Sequence, residues 1–226
     1  MTRRWRCTWV GGFAVLALVS ACLAPAWAAS IGPVRKVNSA DLRLPAVDTP
    51  PGFTPRPERD QVVTTGLLGS LFGSHLQGTL AHDGFRVGYH GWLDGANTAD
   101  LPFVTYDIYA FGSIEGAQAA QTTLSRLVQG LQTTSQDSRL PKNTATWTDG
   151  TETFGPTNQP FAVSEVVFRR ANLLVTVIAY NEGGTANAIS EALGNATTVA
   201  VACETFLKSR VAASSRPPGA SSAVLP

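Results

Sequence analysis

Aromatic and polar side chains alternate along two neighbouring stretches, "FRVGYHGWL" (85–93) and "LPFVTYDIYAF" (101–111). Every second side chain of an extended strand lies on the same face. One face of this pair would carry a mixed set of seven residues: Arg86, His90, Trp92, Phe103, Asp107, Tyr109 and Phe111. Such a mixture is typical of a surface that binds a protein partner or a small hydrophobic ligand. An equally good interpretation is a second core, in which a helix over residues 60–82 covers this face.

Two carboxylates and a histidine offer a catalytic alternative. Asp107 and Glu165 fall on the outer face of predicted strands, and carboxylate pairs perform acid–base chemistry. With His90 they could serve a secreted hydrolase. Ion-paired surface residues are the simpler interpretation, because three further polar side chains fall on this face: Arg86, Arg169 and Thr105. We therefore predict a non-catalytic binding protein and keep the hydrolase as the alternative.

The other reactive residues match no metal or cofactor motif. His75, His82 and His90 are too widely spaced for a compact metal-ligand motif. The chain contains no phosphate loop, dinucleotide fingerprint or nucleophile elbow. Cys203 falls within the apolar stripe of a predicted helix, which indicates a buried, inert thiol. We expect no metal and no cofactor.

The first 28 residues follow the pattern of a signal peptide, with a basic start, an apolar run over residues 9–19 and small residues around Pro25. We therefore predict export, to the periplasm or the cell exterior. Two cleavage sites remain open. "VSAC" resembles the bacterial lipobox, in which Cys22 would receive lipid, whereas "AWA" before Ala29 fits ordinary signal peptidase. The apolar residues after Cys22 favour the second site, and an uncleaved anchor is the third alternative.

Charge and cysteine content narrow the partners of the exported chain. Loss of the three arginines of the signal peptide leaves fourteen basic and sixteen acidic residues. A net charge of about −2 gives no attraction to nucleic acid or to an anionic membrane, so membrane contact would depend on a lipid at Cys22. Because Cys203 is the one other cysteine that remains, no intramolecular disulfide is expected.

The pattern of the chain predicts an α+β domain between two irregular segments. Residues 29–59 are rich in proline and indicate a linker that lays Leu42 and Leu44 along the domain, and residues 211–226 indicate a disordered tail. Residues 60–210 would form one domain, a mostly antiparallel sheet of four to five strands packed against helices on one face. The predicted helices cover residues 60–82, 113–131 and 185–209, and the strands cover 85–93, 101–111, a short stretch near Trp147, 161–169 and 173–180.

Four stretches carry a resemblance to a known group: "LPAVDTPPGFTP", "GFRVGYHGWL", "VTYDIYAFGSIEGAQAA" and "VVFRRANLLVTVIAY". Their order over residues 44–207 resembles bacterial exported and lipoprotein domains with a PsbP-like α+β fold. The resemblance is a pattern of strands and small-residue helices. It implies a non-catalytic accessory or binding role, and it transfers no site residues because it contains no catalytic motif.

Overall fold

Alternating apolar side chains produce five long strands, and two strands of three residues complete an antiparallel sheet. The computed structural model describes residues 37–95, 102–128, 137–154 and 159–214, all of them within the unit Ile31–Pro226. Its strands are β1 (Phe53–Pro55), β2 (Gln61–Val63), β3 (Phe85–Gly95), β4 (Phe103–Phe111), β5 (Ala145–Phe154), β6 (Gln159–Arg170) and β7 (Leu173–Glu182), and its helices are α1 (Thr65–His82), α2 (Ile114–Val128) and α3 (Ala186–Ser214).

The sheet has the strand order β1-β3-β4-β7-β6-β5, with β2 also paired to β3. The α+β class and the antiparallel arrangement are as predicted, but the expectation of four to five strands was wrong. The two additional strands, β1 and β2, come from residues 53–63, where proline-rich sequence hides segments of only three residues. The apolar strand β7 lies between β4 and β6 in the middle of the sheet, as its sequence predicted.

The β3–β4 hairpin has the register that burial of one apolar face requires. Alternation predicts that Tyr89 lies opposite Tyr106 and Val87 opposite Ile108 on a shared apolar face. The shared face is confirmed, but the register differs by two residues, since Tyr89 lies opposite Ile108 and Val87 opposite Ala110. A β-bulge between Phe85 and Val87 then shifts the start of β3. Simple alternation along residues 85–93 predicts that Phe85 shares a face with Tyr89. That prediction is wrong, because the bulge moves Phe85 to the other face, where it lies opposite Phe111.

The larger core lies between one face of the sheet and α3. Small residues on α3 let the helix approach the strands closely: Ala192, Ala196 and Ala200 are fully buried. Cys203 lies in this layer and is also fully buried, which confirms its predicted place. The side chain of Thr185 accepts a hydrogen bond from Ala188 N (3.2 Å) at the start of α3.

A second core lies on the opposite face, under α1 and α2. The prediction that helices cover one face was therefore wrong, because each face of the sheet buries an apolar layer of its own. Ser113 begins α2 as predicted, and its hydroxyl accepts a hydrogen bond from Gly116 N (3.0 Å). Ala117, Ala120 and Leu124 then form the buried stripe of this helix.

Helix α1 begins at Thr65 rather than at Asp60, because residues 61–63 form β2. The side chain of Thr64 accepts a hydrogen bond from Leu67 N (3.4 Å). Gly73 interrupts the helix with φ of 79° and ψ of 161°, so α1 consists of two helical segments joined by a kink. Glycine is the residue that adopts this conformation with little strain.

The segment interpreted as a linker contributes to the larger core. Leu42 and Leu44 are buried there, and Leu44 N donates a hydrogen bond to the hydroxyl of Tyr106 (3.1 Å). At the other end of the domain, α3 continues to Ser214. The predicted signal peptide (1–28), the lipidation site Cys22 and residues 215–226 of the predicted tail lie outside the described residues.

Candidate functional site

Four of the seven residues predicted for the binding face come together on the second face of the sheet. His90 and Trp92 on β3 lie opposite Asp107 and Thr105 on β4, and Phe103 stacks on Trp92. Of the other three, Tyr109 and Phe111 lie on the same face but beneath α1 and α2, and Arg86 lies beyond the β-bulge.

Tyr109 and Phe111 belong to the second core. They are only 1% and 2% exposed, and each packs edge-to-face against Phe85 at about 6 Å between ring centroids (6.1 and 6.0 Å). Helices α1 and α2 cover these rings with residues such as Leu80 and Ala117. Burial raises the pKa of the Tyr109 hydroxyl well above its usual value. For these two residues the second-core interpretation holds, and they cannot line an exposed surface.

Arg86 is separated from the site by the β-bulge at the start of β3. Its side chain is exposed, and its guanidinium lies beside Gly112. Alternation along the sequence placed Arg86 on the face of His90 because an inserted residue leaves no mark in the apolar pattern.

Three stacked rings form the aromatic part of the site, which we call the aromatic row: Trp92, Phe103 and Tyr180. The ring centroids of Trp92 and Phe103 are 4.2 Å apart with planes at 16°. Those of Phe103 and Tyr180 are 4.5 Å apart with planes at 24°. All three side chains are partly exposed. Tyr180 was missed from the sequence, because β7 is apolar on both faces and its pairing with β4 joins segments far apart in the chain.

Ionic and hydrogen-bonding partners hold Trp92 in place at the edge of the row. Its indole Nε1 donates to Asp94 Oδ1 (2.9 Å), and Arg56 Nε pairs with the same carboxylate. The guanidinium carbon of Arg59 lies 4.6 Å from the indole centroid, a cation–π distance. The indole is therefore fixed through its face and its N–H.

Asp60 secures the outer edge of β3 between β1 and β2. Its carboxylate accepts hydrogen bonds from Trp92 N (3.0 Å) and from the hydroxyl of Tyr89 (2.7 Å), and Arg43 lies 3.5 Å away. A side chain thus satisfies a backbone N–H at the point where the edge changes from one short strand to the other. The hydrogen bond to Asp60 thus holds the backbone of β3 in place at Trp92.

A polar cluster adjoins the row, and it consists of His90, Asp107, Thr176 and Glu165. His90 Nδ1 lies 2.9 Å from Asp107 Oδ1, and Thr176 Oγ1 donates to Asp107 Oδ2 (3.4 Å). Burial alone would lower the pKa of His90, but the hydrogen bond and charge of Asp107, with the charge of Asp60, raise it overall. Asp107 is thereby tied on both carboxylate oxygens.

Glu165 differs from Asp107 because no hydrogen bond or ion pair joins its carboxylate to another described residue. It lies directly opposite Trp147 on β5 and Ile178 on β7. Burial, reinforced by the charge of Asp107, raises the pKa of Glu165 to about 7. The predicted carboxylates therefore do share a face, but they differ strongly in their surroundings.

The residues considered for metal binding or nucleophilic chemistry do not form such sites within the described parts of the chain. No group of three or more metal-ligating side chains occurs there. His82 is highly exposed and its Nδ1 lies 3.6 Å from Asp83. Burial raises the pKa of the Cys203 thiol to about 12, which keeps it protonated and unreactive. Nor is any helix of the described residues long and apolar enough to cross a membrane.

Comparisons with known proteins leave the family open. No protein-family model matches the chain, and no curated protein matches it. A solved structure that it resembles is the extracellular domain of PknH from Mycobacterium tuberculosis, with 17% identity and a TM-score of 0.42 over 76% of this chain and 92% of that one. A likeness of this size carries no functional argument, and the PsbP-like resemblance remains a prediction.

Proposed function

We propose that the protein is an exported, non-catalytic envelope protein that binds a small hydrophobic ligand on the aromatic row. The observation that carries this proposal is the row itself: three partly exposed rings, stacked across three strands, beside a polar cluster. A few convergent polar groups next to apolar surface are typical of small-molecule sites.

The stacking of the rings bears on the kind of ligand. Phe103 is stacked on Trp92 and on Tyr180, and Arg59 lies over the indole of Trp92. With these ring faces occupied, a ligand would meet ring edges rather than insert between rings. Edges in a row favour a flexible apolar chain over a flat aromatic compound.

A small ligand also suits the size of the row better than a protein partner. Stable protein interfaces bury about 800 Å² on each partner. Three half-buried side chains offer much less than that area, because one fully buried aromatic residue contributes roughly 150–250 Å². A protein partner would need further surface beyond the aromatic row.

The proposal is tested by binding of the neutral fluorescent probe N-phenylnaphthylamine to the full-length protein. We expect Phe103→Ala to weaken binding by about tenfold or more, because it removes the middle ring. Phe103→Leu, which keeps an apolar side chain, is a second variant in case the first folds poorly. Leu71→Ala is the matched control, since Leu71 is 41% exposed on α1. Equal affinity in both Phe103 variants and the control would refute the site.

The intact mass of the protein purified from its native host tests whether it is exported and which N-terminus the mature protein has. A diacylglyceryl group on Cys22 would make it a tethered envelope protein, and an N-terminus at Ala29 would make it a soluble export. A mass that retains residues 1–28 would contradict both cleavage alternatives.

A secreted hydrolase is the second candidate, and the polar cluster favours it. His90 and Asp107 form a close pair, and the raised pKa of Glu165 is the property of a general acid. Turnover of nitrophenyl esters and glycosides would support this activity, provided that Glu165→Gln abolishes it. Activity that is unchanged in this variant would remove Glu165 from the mechanism.

A further inference from the structure

Trp147 has a buried indole N–H without a partner in the part of the chain that the structure describes, and it lies beside the carboxyl of Glu165, next to the aromatic row. The two residues lie directly opposite each other on β5 and β6, on the face that also carries Ile178 and Tyr180. Trp147 is only 8% exposed, yet its indole Nε1 has no hydrogen-bond acceptor among the described residues. A buried N–H without an acceptor is costly, which indicates that something else supplies the acceptor.

The pair is next to the row rather than remote from it. Phe103 lies opposite Tyr180 on β7, and Tyr180 lies opposite Val163 on β6. Val163 precedes Glu165 by two positions on the same face. An apolar chain on the aromatic row can therefore place its end group near Glu165.

The charges around Glu165 restrict the end group. The polar groups nearest to it on this face are Trp147 on β5, Thr176 on β7, Thr105 and Asp107 on β4, and His90 on β3, while the cation Arg169 lies four positions further along β6. Of these, His90 is bound to Asp107, and the negative charge of Asp107 acts on Glu165. A second anion would meet repulsion from two carboxylates.

We infer that the site takes a neutral amphiphile whose hydroxyl group binds between the carboxyl of Glu165 and the indole N–H of Trp147. The inference rests on the proposed function, because the apolar chain of this ligand would occupy the aromatic row. A hydroxyl is both donor and acceptor. It donates to the carboxylate oxygen of Glu165 and accepts from the indole N–H of Trp147, so the buried N–H gains an acceptor while the carboxylate receives a donor.

Other end groups fit less well. An ammonium group has no lone pair to accept the Trp147 N–H, and an ionised carboxylate cannot donate to Glu165. Each of them would leave one of the two protein groups without a partner. The affinity for each end group therefore depends on how many of these hydrogen bonds the end group satisfies.

Calorimetric titration of the full-length protein with decanol, decylamine and decanoate tests the inference at about pH 8, where about a tenth of Glu165 remains protonated. We expect decanol to bind about tenfold more tightly than decanoate, which corresponds to one hydrogen bond and one repulsive contact. Decylamine, whose charge the carboxylates attract, serves as the compound that cannot accept the Trp147 N–H. Equal affinity for decanol and decanoate, or preference for the acid, would overturn the inference.

Variants separate the two protein groups. Trp147→Phe should lower the affinity for decanol by about fivefold and leave the affinity for decylamine unchanged. Glu165→Met should abolish the preference for decanol over decanoate. Glu165→Gln keeps a hydrogen-bond acceptor and removes the charge, so its affinity for decanol should be unchanged and its affinity for decanoate should rise. The control is Glu115→Gln, an exposed residue on α2. Unchanged selectivity in all three site variants would also overturn the inference.

The two proposals can fail separately. Both proposals are supported if Phe103→Ala no longer binds any of the three compounds and the unmodified protein prefers decanol to decanoate. Binding that is unaffected by Phe103→Ala removes the ligand from the aromatic row and refutes the proposed function. Binding on the row without preference for decanol refutes the hydroxyl site alone.

Discussion

Single residues on the second face of the sheet have opposite roles although the sequence groups them together. Tyr109 packs under α1 and α2 with 1% exposure, whereas Trp92 is partly exposed. Both were predicted from one alternating pattern. Which of them is core and which is surface depends on where two helices end over the sheet, and alternation within a strand holds no information about that.

This difference predicts unequal costs of truncation. Tyr109→Ala should lower the free energy of unfolding by about 3–5 kcal/mol, because it leaves a cavity in the second core. Trp92→Ala should lower it by about 1–2 kcal/mol, because the indole is partly exposed. Urea denaturation monitored by circular dichroism measures both. A cost of several kcal/mol for Trp92→Ala would mark Trp92 as core and contradict its role in a binding surface.

Glu165 predicts a stability that depends on pH. Its pKa is about 7 in the folded protein against an ordinary value of 4.5, so the folded state holds a proton that the unfolded state releases. The Glu165 carboxyl therefore does not lower the free energy of unfolding below about pH 4.5. It lowers that free energy increasingly as pH rises from 4.5 towards 7. Glu165→Gln should be more stable than the unmodified protein at about pH 8, by up to about 3 kcal/mol, and equally stable at about pH 4.

Denaturation of the two proteins at both pH values checks this expectation. All other titrating groups are common to the pair, so the difference between the curves isolates position 165. A constant difference across the range would show that the Glu165 carboxyl titrates as it does in the unfolded chain.

Among the elements, α1 owes its shape to one glycine. Gly73 has positive φ inside the helix, and no atom lies within 4 Å of a Cβ built there. Gly73→Ala should therefore cost about 1–3 kcal/mol through backbone strain alone. Gly78→Ala is the matched control, because Gly78 has open space around it and no positive φ. It should stabilise the protein by about 0.5–1 kcal/mol.

Thermal melts of both variants measure the contrast. The expected result is a lower melting temperature for Gly73→Ala and a higher one for Gly78→Ala. If both substitutions stabilise the protein, α1 is a continuous helix in solution and the kink is absent.

The elements also show which contacts sequence can predict. Consecutive strands form hairpins, so alternation alone predicted which faces of β3 and β4 coincide, but it did not predict the register that places His90 opposite Asp107. The pair that brings Tyr180 to Phe103 depends on the order β4-β7-β6-β5, whereas Glu165 and Trp147 meet between the consecutive strands β5 and β6. The β4–β7 pairing joins strands that do not follow each other in the chain, and its register could not be derived from local pattern. The bulge after Phe85 was hidden for a different reason, since one inserted residue does not alter composition.

At the scale of the whole molecule, an apolar layer is buried on each face of the sheet, and the proline-rich segment contributes to the larger one. Leu42 and Leu44 fill the larger core, β1 pairs with β3, and Asp60 closes the edge between the short strands. Proline content predicted an extended linker, whereas the described part of this segment contains three short 3-10 helices and one strand of three residues. It could not show that the segment is held by two leucines and a strand of three residues.

The segment should therefore contribute to stability as a core element does. Leu42 is 1% exposed and Val47 is 89% exposed. Leu42→Ala should lower the free energy of unfolding by about 2–5 kcal/mol, and Val47→Ala should change it by less than about 0.5 kcal/mol. Denaturant titration decides the matter. Equal and small effects would mean that residues 37–59 are a linker that merely touches the domain.

Cys203 gives the layer between α3 and the sheet a chemical signature. Because its thiol is fully buried and protonated in the folded protein, a thiol reagent can reach it only while α3 is detached. Labelling in native buffer, located by peptide mass mapping, would then report how often that helix leaves the sheet. At high reagent concentration the labelling rate becomes the rate of opening itself. The labelling rate of Cys203 would then measure how fast α3 detaches from the sheet.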